Sequence, residues 1–199
     1  HNPSLCERDL GDNILPFMNA HTEQVPAHHP FQPFVPRGCS RLLLGSFPGS
    51  RSTGGSPPRG DWYYGAPRNQ FWPIMAELFP SHDLSCIQGK KGLFRELGMA
   101  VTDVILACER KRGSNLDGNL VKRVYNTEAV ERILSENPVD TVLFTGKGVM
   151  TVFQTRFRYP QDLRLVCLPS RSPAFFRMSF QQKVQAWRDA FAGLLILNG

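Results

Sequence analysis

Residues 41–72 hold the densest set of side chains that could do chemistry: R-L-L-L-G-S-F-P-G-S-R-S-T-G-G-S-P-P-R-G-D-W-Y-Y-G-A-P-R-N-Q-F-W. A short apolar run, Leu42 to Leu44, stops at Gly45 and Pro48 and opens into a long Gly, Pro and Ser loop. That loop carries Trp62, Tyr63 and Tyr64, which a plain linker has no use for. It closes on Pro67, Arg68 and Asn69. Long loops inside domains are usually functional or disordered, and the aromatic content argues for function. Three further segments stand out downstream: Asp103 inside an apolar run, T-G-K-G at 145–148, and P-S-R-S-P at 169–173. A carboxylate in such a run is costly unless it is paired or faces a cleft. Together these segments supply aromatics, amides, hydroxyls and Arg. That mixture suits a planar ligand on a sugar-phosphate chain, with rings stacking on bases and polar groups holding phosphates.

Other chemistries lack their signatures. There is no Gly-x-Ser-x-Gly elbow and no G-x-x-x-x-G-K-[ST] phosphate loop; T-G-K-G is too short for one. The five cysteines, Cys6, Cys39, Cys86, Cys108 and Cys167, include no C-x-x-C pair, so neither zinc nor an iron–sulfur cluster is expected. They read as reduced thiols. The converging segments hold no His for a general base, and the only His beyond residue 38 is His82.

These pieces need elements to position them. The run at 42–44 reads as a strand buried on both faces. An apolar pattern of helical type follows (Phe71, Trp72, Met75, Leu78, Phe79). Residues 89–97 read as a short helix, and 99–106 as a second strand followed by a polar loop. Residues 126–137 read as a helix that Asn126 or Thr127 can cap, stopped by Pro138. Strands are expected at 139–144 and 163–168, with a helix from Val149 between them. Ser179 is expected to cap a last helix reaching about Leu197. Strand–helix alternation predicts an α/β fold, a three-layer α/β/α sandwich on a short, about four-stranded parallel sheet. In such a sheet the strand ends emerge on one edge, where ligands bind. The aromatic loop, Asp103, T-G-K-G and P-S-R-S-P would all meet there.

Residues 1–28 read as an N-terminal arm, wrapped on the domain or partly disordered, and 29–199 as the domain. Four of the five His lie before residue 38, and His28–His29 beside Pro30 reads as loop in preference to a metal site. The two Phe of H-P-F-Q-P-F are expected to pack on the core. A chain of 199 residues that is 41% hydrophobic can bury a core of its own. No apolar run approaches the roughly 20 residues of a membrane helix, and no leader pattern opens the chain. A soluble, non-secreted monomer is expected, in a cytosol-like compartment. The net charge of +6 is compatible with a polyanionic partner and equally with a basic surface.

Five of these pieces resemble a known superfamily in order and spacing: L-L-L-G-S-F-P-G-S, W-Y-Y-G-A-P-R-N-Q-F-W, L-G-M-A-V-T-D-V-I-L-A-C-E-R, V-L-F-T-G-K and L-P-S-R-S-P-A. They are similar to the uracil-DNA glycosylases, and most like the hypoxanthine-DNA glycosylase (DNA-deoxyinosine glycosylase) family. The likeness runs from about His29 to the last helix. It implies a monofunctional, metal- and cofactor-free glycosylase that flips a deaminated base, hypoxanthine or uracil, out of DNA and cuts its N-glycosidic bond with water. It implies Asn69, in P-x-N-x-F-W, as the catalytic, water-positioning residue, although Asn69 would equally suit a helix cap. It implies a base pocket from Ser46, Phe47, Pro48, Gly49, Tyr64 and Thr145, with Tyr64 stacking on the base. Arg68, Lys147, Ser170, Arg171 and Ser172 would hold DNA, the two Ser pinching phosphates and Arg171 filling or probing the gap left by the base. Three positions depart from the wider pattern. Phe47 stands where many relatives hold an Asp or Asn that activates water. Leu168 stands where many hold His, and Thr145 where many hold a base-reading Asn. Those departures keep two other readings open: a DNA or damaged-base binder of the same fold that does not cut, and a hydrolase of free nucleosides.

Overall fold

The computed structural model describes residues 24–54, 61–111, 117–171 and 177–195. Four strands form its central sheet: β2 (Arg41–Gly45), β3 (Met99–Asp103), β6 (Thr141–Phe144) and β7 (Arg164–Cys167). Their order is β3-β2-β6-β7, and every pairing is parallel. The register sets Leu42 between Ala100 and Val142, and Leu43 between Val101 and Leu143. Because side chains alternate along a strand, those two rows face opposite ways. Leu43, Val101 and Leu143 share a core with α2 (Phe71–Leu78), α3 (Ile87–Glu96) and α6 (Phe180–Leu195), through Phe71, Phe94 and Trp187 among others. Leu42, Leu44, Ala100, Val142 and Phe144 share the opposite core with α4 (Thr127–Glu136) and α5 (Lys147–Arg156), through Val130, Ile133 and Phe153. This is the expected three-layer α/β/α sandwich. Among the described residues no helix is long and apolar enough to cross a membrane.

A second sheet departs from expectation. Strands β1 (Gln24–His28), β4 (Ile105–Lys111) and β5 (Leu120–Tyr125) pair antiparallel in the order β1-β4-β5. The run expected as one strand at 99–106 therefore divides at Val104. The first half stays in the parallel sheet and the second crosses to the new one. The stretch expected as a polar loop, from Cys108 to Lys111, is the rest of β4. Part of the expected arm, Gln24–His28, pairs with β4. Phe31 and Phe34 do pack on the core, and Phe34 forms a bridge to Val101.

Helix ends correct one cap and supply another. Asn126 precedes α4 but its side chain makes no cap bond. Its Nδ2 donates instead to Thr102 Oγ1 (3.1 Å) and to the Asp103 carbonyl (3.2 Å), holding the end of β3. At α6, Ser179 Oγ accepts from Gln182 N (3.2 Å) and Gln182 Oε1 accepts from Ser179 N (2.7 Å). That reciprocal pair is a capping box. Cys39, Cys86, Cys108 and Cys167 are free thiols.

Candidate active site

All four parallel strands end on one edge, and the segments that follow them meet there. A recess is lined by Phe47, Pro48, Gly49, Tyr64, Asn69, Asp103 and Arg171, together with Phe31, Trp62 and Tyr63. It encloses about 40 Å³. Since a water needs roughly 10–15 Å³ of such space, there is room for a few waters and not for a purine.

Tyr64 forms one wall. Its φ is 62°, in the left-handed region where a bulky side chain is a rare outlier and where strain gathers at functional sites. A tight turn with Gly65 N donating to Trp62 O (2.8 Å) holds it there. A Cβ at Gly65 would strike Asp61 Oδ1 and the Trp62 carbonyl, so only glycine fits beside it. The ring packs on Phe71, centroids 4.3 Å apart, and carries the Arg171 guanidinium 4.7 Å from its centroid. Burial, and after it the Asp103 carboxylate, holds the Tyr64 hydroxyl neutral, well above the ordinary tyrosine range. The loop's aromatics are more buried than a surface stacking platform would be: Trp62, Tyr63 and Tyr64 all join the core. Tyr63 donates to Gln32 O (3.2 Å), and Trp72 Nε1 donates to Tyr63 O (2.8 Å).

Arg171 crosses the recess. Its Nη1 donates to Thr145 Oγ1 (2.9 Å), while its buried Nε has no hydrogen-bond partner among the described residues. The turn that carries it is tied down from two more sides. Gln70 N donates to Arg171 O (3.1 Å), and Trp187 Nε1 to Pro169 O (3.1 Å). Gln70 in turn receives Lys183 Nζ at its Oε1 (2.8 Å), which links α6 to the start of α2. Asn69 sits at that start, bordering the recess. Its Oδ1 accepts from Phe71 N (3.0 Å), so the side chain opens the helix as well as facing the cavity.

The remaining residues are placed as follows. Ser46 is buried, with its carbonyl receiving Ile105 N (3.2 Å). Phe47 is buried, Gly49 O receives Ser52 N (3.0 Å), and Pro48 O receives Arg110 Nη2 (2.6 Å). Thr145 is buried at the end of β6 and reaches the site through Arg171. Arg68 and Lys147 are exposed, on the aromatic loop and at the first turn of α5. Ser170 is half-buried beside Arg171. Ser172 lies outside the described residues.

One residue was missed. His29 was read as loop, and no His was expected at the converging ends; it is there. Its Nε2 donates to Asp103 Oδ2 (3.0 Å), and its side chain is 2% exposed. Phe31, Phe47 and Tyr63 surround the ring at 5.5–6.0 Å. The second sheet delivers it: β1 runs against β4, and His29 N donates to Leu106 O (2.9 Å). The same sheet sends Arg110 to the Pro48 carbonyl. The only signal in the sequence was the unexplained carboxylate of Asp103, which called for a partner without naming it.

Four parallel strands that end on one edge, with helices on both faces of the sheet, form a fold found in known proteins. The solution NMR structure of a candidate uracil DNA glycosylase from Methanosarcina acetivorans superposes with a TM-score of 0.60, covering 83% of this chain and 98% of that one at 20% identity. The fold is that of the uracil-DNA glycosylases. In sequence the chain is similar to the hypoxanthine DNA glycosylase of Methanosarcina barkeri (strain Fusaro / DSM 804), at 27% identity over 165 residues. That alignment covers 81% of this chain and 96% of the relative. No family model matches. On the uracil-DNA glycosylase fold, the recess lies at the carboxyl edge of the parallel sheet, where the sequence pieces quoted above converge.

Proposed function

We propose that this chain is a monofunctional DNA glycosylase that excises deaminated bases, hypoxanthine or uracil, from DNA, with a working unit that takes in β1 and so begins ahead of the expected boundary at residue 29. The observation that carries the reading is the recess itself, at the strand ends of a chain that aligns along nearly the whole of a hypoxanthine DNA glycosylase. A glycosidic bond is out of reach inside the base stack, so the nucleotide must swing out into a pocket. Breaking the bond builds positive charge on the sugar and negative charge on the departing base. Fixed donors at the pocket edge stabilise that anion without reorganising. Here the backbone N–H groups of Ser46, Phe47 and Gly49, on a segment held in place by Arg110, are the donors.

Asn69 orients the attacking water. Its amide oxygen accepts from Phe71 N, and the residue borders the recess. Its amide cannot take a proton, so it positions water and does not act as a base. Tyr64 stacks on the base, in the place the Arg171 guanidinium now holds against its ring. Arg171 must therefore leave as the base arrives, and it is then free to fill the gap in the duplex. Ser170, Ser172, Arg68 and Lys147 would hold the phosphates on either side.

The test is a duplex-nicking assay after alkali, on substrates with one inosine or one uracil. Alkali-labile abasic sites are expected with at least one of them. Clean protein that leaves inosine, uracil, xanthine and mismatched thymine intact overturns the reading.

A further inference from the structure

We infer that Gln70 is a DNA contact of this site: its side-chain NH2 donates to a backbone phosphate of the duplex, and the buried Lys183 holds the amide with that end outward. The inference takes its ligand from the glycosylase reading and adds a neutral contact to the charged ones. A lysine ammonium carries three N–H donors and no acceptor. Lys183 is 1% exposed, and its Nζ donates to Gln70 Oε1 (2.8 Å). Only the oxygen of an amide can take that bond, so the oxygen of Gln70 faces α6 and its NH2 points the other way. Among the described residues nothing accepts from that NH2, and it is not a buried orphan as Arg171 Nε is, so it reaches solvent. Burying an ammonium is costly, and an apolar side chain would pack α6 against α2 without that cost. What the lysine adds is direction.

The backbone sets this amide among the residues proposed to hold DNA. Gln70 N donates to Arg171 O (3.1 Å), which seats the residue against the Ser170–Arg171 turn. Asn69, its neighbour in the chain, borders the recess, and exposed Arg68 comes just before. Lys183 belongs to the first turn of α6, where its own N–H donates to Ser179 O (3.0 Å). Gln70 does not line the recess, so its NH2 meets the strand beside the flipped nucleotide and not the base. Side-chain amides are regular donors to phosphate oxygens. A bond from a neutral donor to an ionised oxygen is charge-assisted, and stronger than one between neutral groups. Since glutamine carries no charge, it releases no counterion, and its share of the affinity does not fall with salt as that of Arg68 or Lys147 does. Lys183 does not touch the DNA. It is a positioning residue that acts through the amide.

The test reads binding, so that it stands apart from turnover. The probe is a duplex with one tetrahydrofuran abasic site, which fixes the register and offers no glycosidic bond. Gln70→Glu keeps an oxygen for Lys183 and sets a second oxygen where the NH2 was. Its urea midpoint should match or exceed that of the wild type, while its affinity for the probe falls by about tenfold or more. Gln70→Ala should weaken binding by roughly threefold or more, with the slope of log affinity against log salt unchanged. Lys183→Met, apolar and of similar length, frees the amide to turn and should weaken binding with the slope again unchanged. Probes that each carry a single methylphosphonate locate the contact: one position that weakens the wild type should leave Gln70→Ala unaffected. Wild-type affinity in Gln70→Glu overturns the inference. So does a slope that drops by about one in Lys183→Met, which would make the lysine itself the contact. So does a methylphosphonate series that both proteins read alike. A protein that shows the single coupled phosphate yet cuts neither inosine nor uracil DNA strikes the glycosylase reading alone; one that cuts without the coupling strikes this inference alone.

Discussion

At the scale of single residues, two side chains carry separable expectations. Asn69→Ala removes the water-orienting amide and the bond to Phe71 N together. Turnover should fall by about two orders of magnitude, the scale of losing one oriented polar group. DNA affinity should be largely kept, as measured by anisotropy beside single-turnover kinetics. Affinity and melting temperature collapsing together would mark the residue as a helix opener only. Arg171→Ala uncovers the Tyr64 ring. Binding of free hypoxanthine, followed by ligand-observed NMR, should strengthen. Excision from duplex DNA should weaken more than excision from a single strand, which leaves no stacked gap to fill. The placement of these residues was legible in part. Tyr64 stood out as an aromatic in a Gly and Pro loop, and Asn69 through the P-x-N-x-F-W resemblance; both border the recess. His29 did not stand out, since its partner Asp103 is 74 positions away and nothing local distinguishes it from loop.

At the scale of elements, the parallel sheet was legible because burial on both faces leaves near-continuous apolar runs. The antiparallel sheet was not. β1 contains Pro26, β4 ends in Glu109, Arg110 and Lys111, and β5 alternates exposed Val121 and Val124 with Lys122 and Arg123. Composition of that kind reads as loop, and only long-range pairing makes it strand. Two substitutions test how elements hold the site. Gly45→Ala would drive a methyl group into Asp103 Oδ1 and Tyr64 Oη. It should cost about 1–3 kcal/mol, the range for overpacked cores, measured by urea unfolding. It should also depress excision more than DNA binding. Ser179→Ala removes the capping box of α6 and should cost roughly 0.5–2 kcal/mol in the same assay. Its effect should extend to the recess, because Lys183 and Trp187 on that helix steady Gln70 and the Pro169 turn.

At the scale of the whole molecule, the decisive property is that every central strand runs the same way, so four distant stretches of sequence share one edge. The net charge of +6 adds a field without adding selectivity. DNA affinity should therefore fall by roughly tenfold or more between about 50 and about 200 mM salt, as counterions return to the phosphates. A hypoxanthine-over-adenine preference that comes from a fixed hydrogen bond should change little over the same range. Titrating both oligonucleotides at each salt concentration separates the two contributions.

Val104 is a junction one residue long, and it makes the chain intolerant of miscounting. On its near side Asp103 is bolted into one lattice; on its far side Ile105 starts another, whose opposite rail ends at His28, next to His29. A single residue added to either rail would swing the imidazole away from its carboxylate and turn the side chains that follow it to the opposite face. Such a protein would lose stability together with the His29–Asp103 contact, which urea unfolding would read.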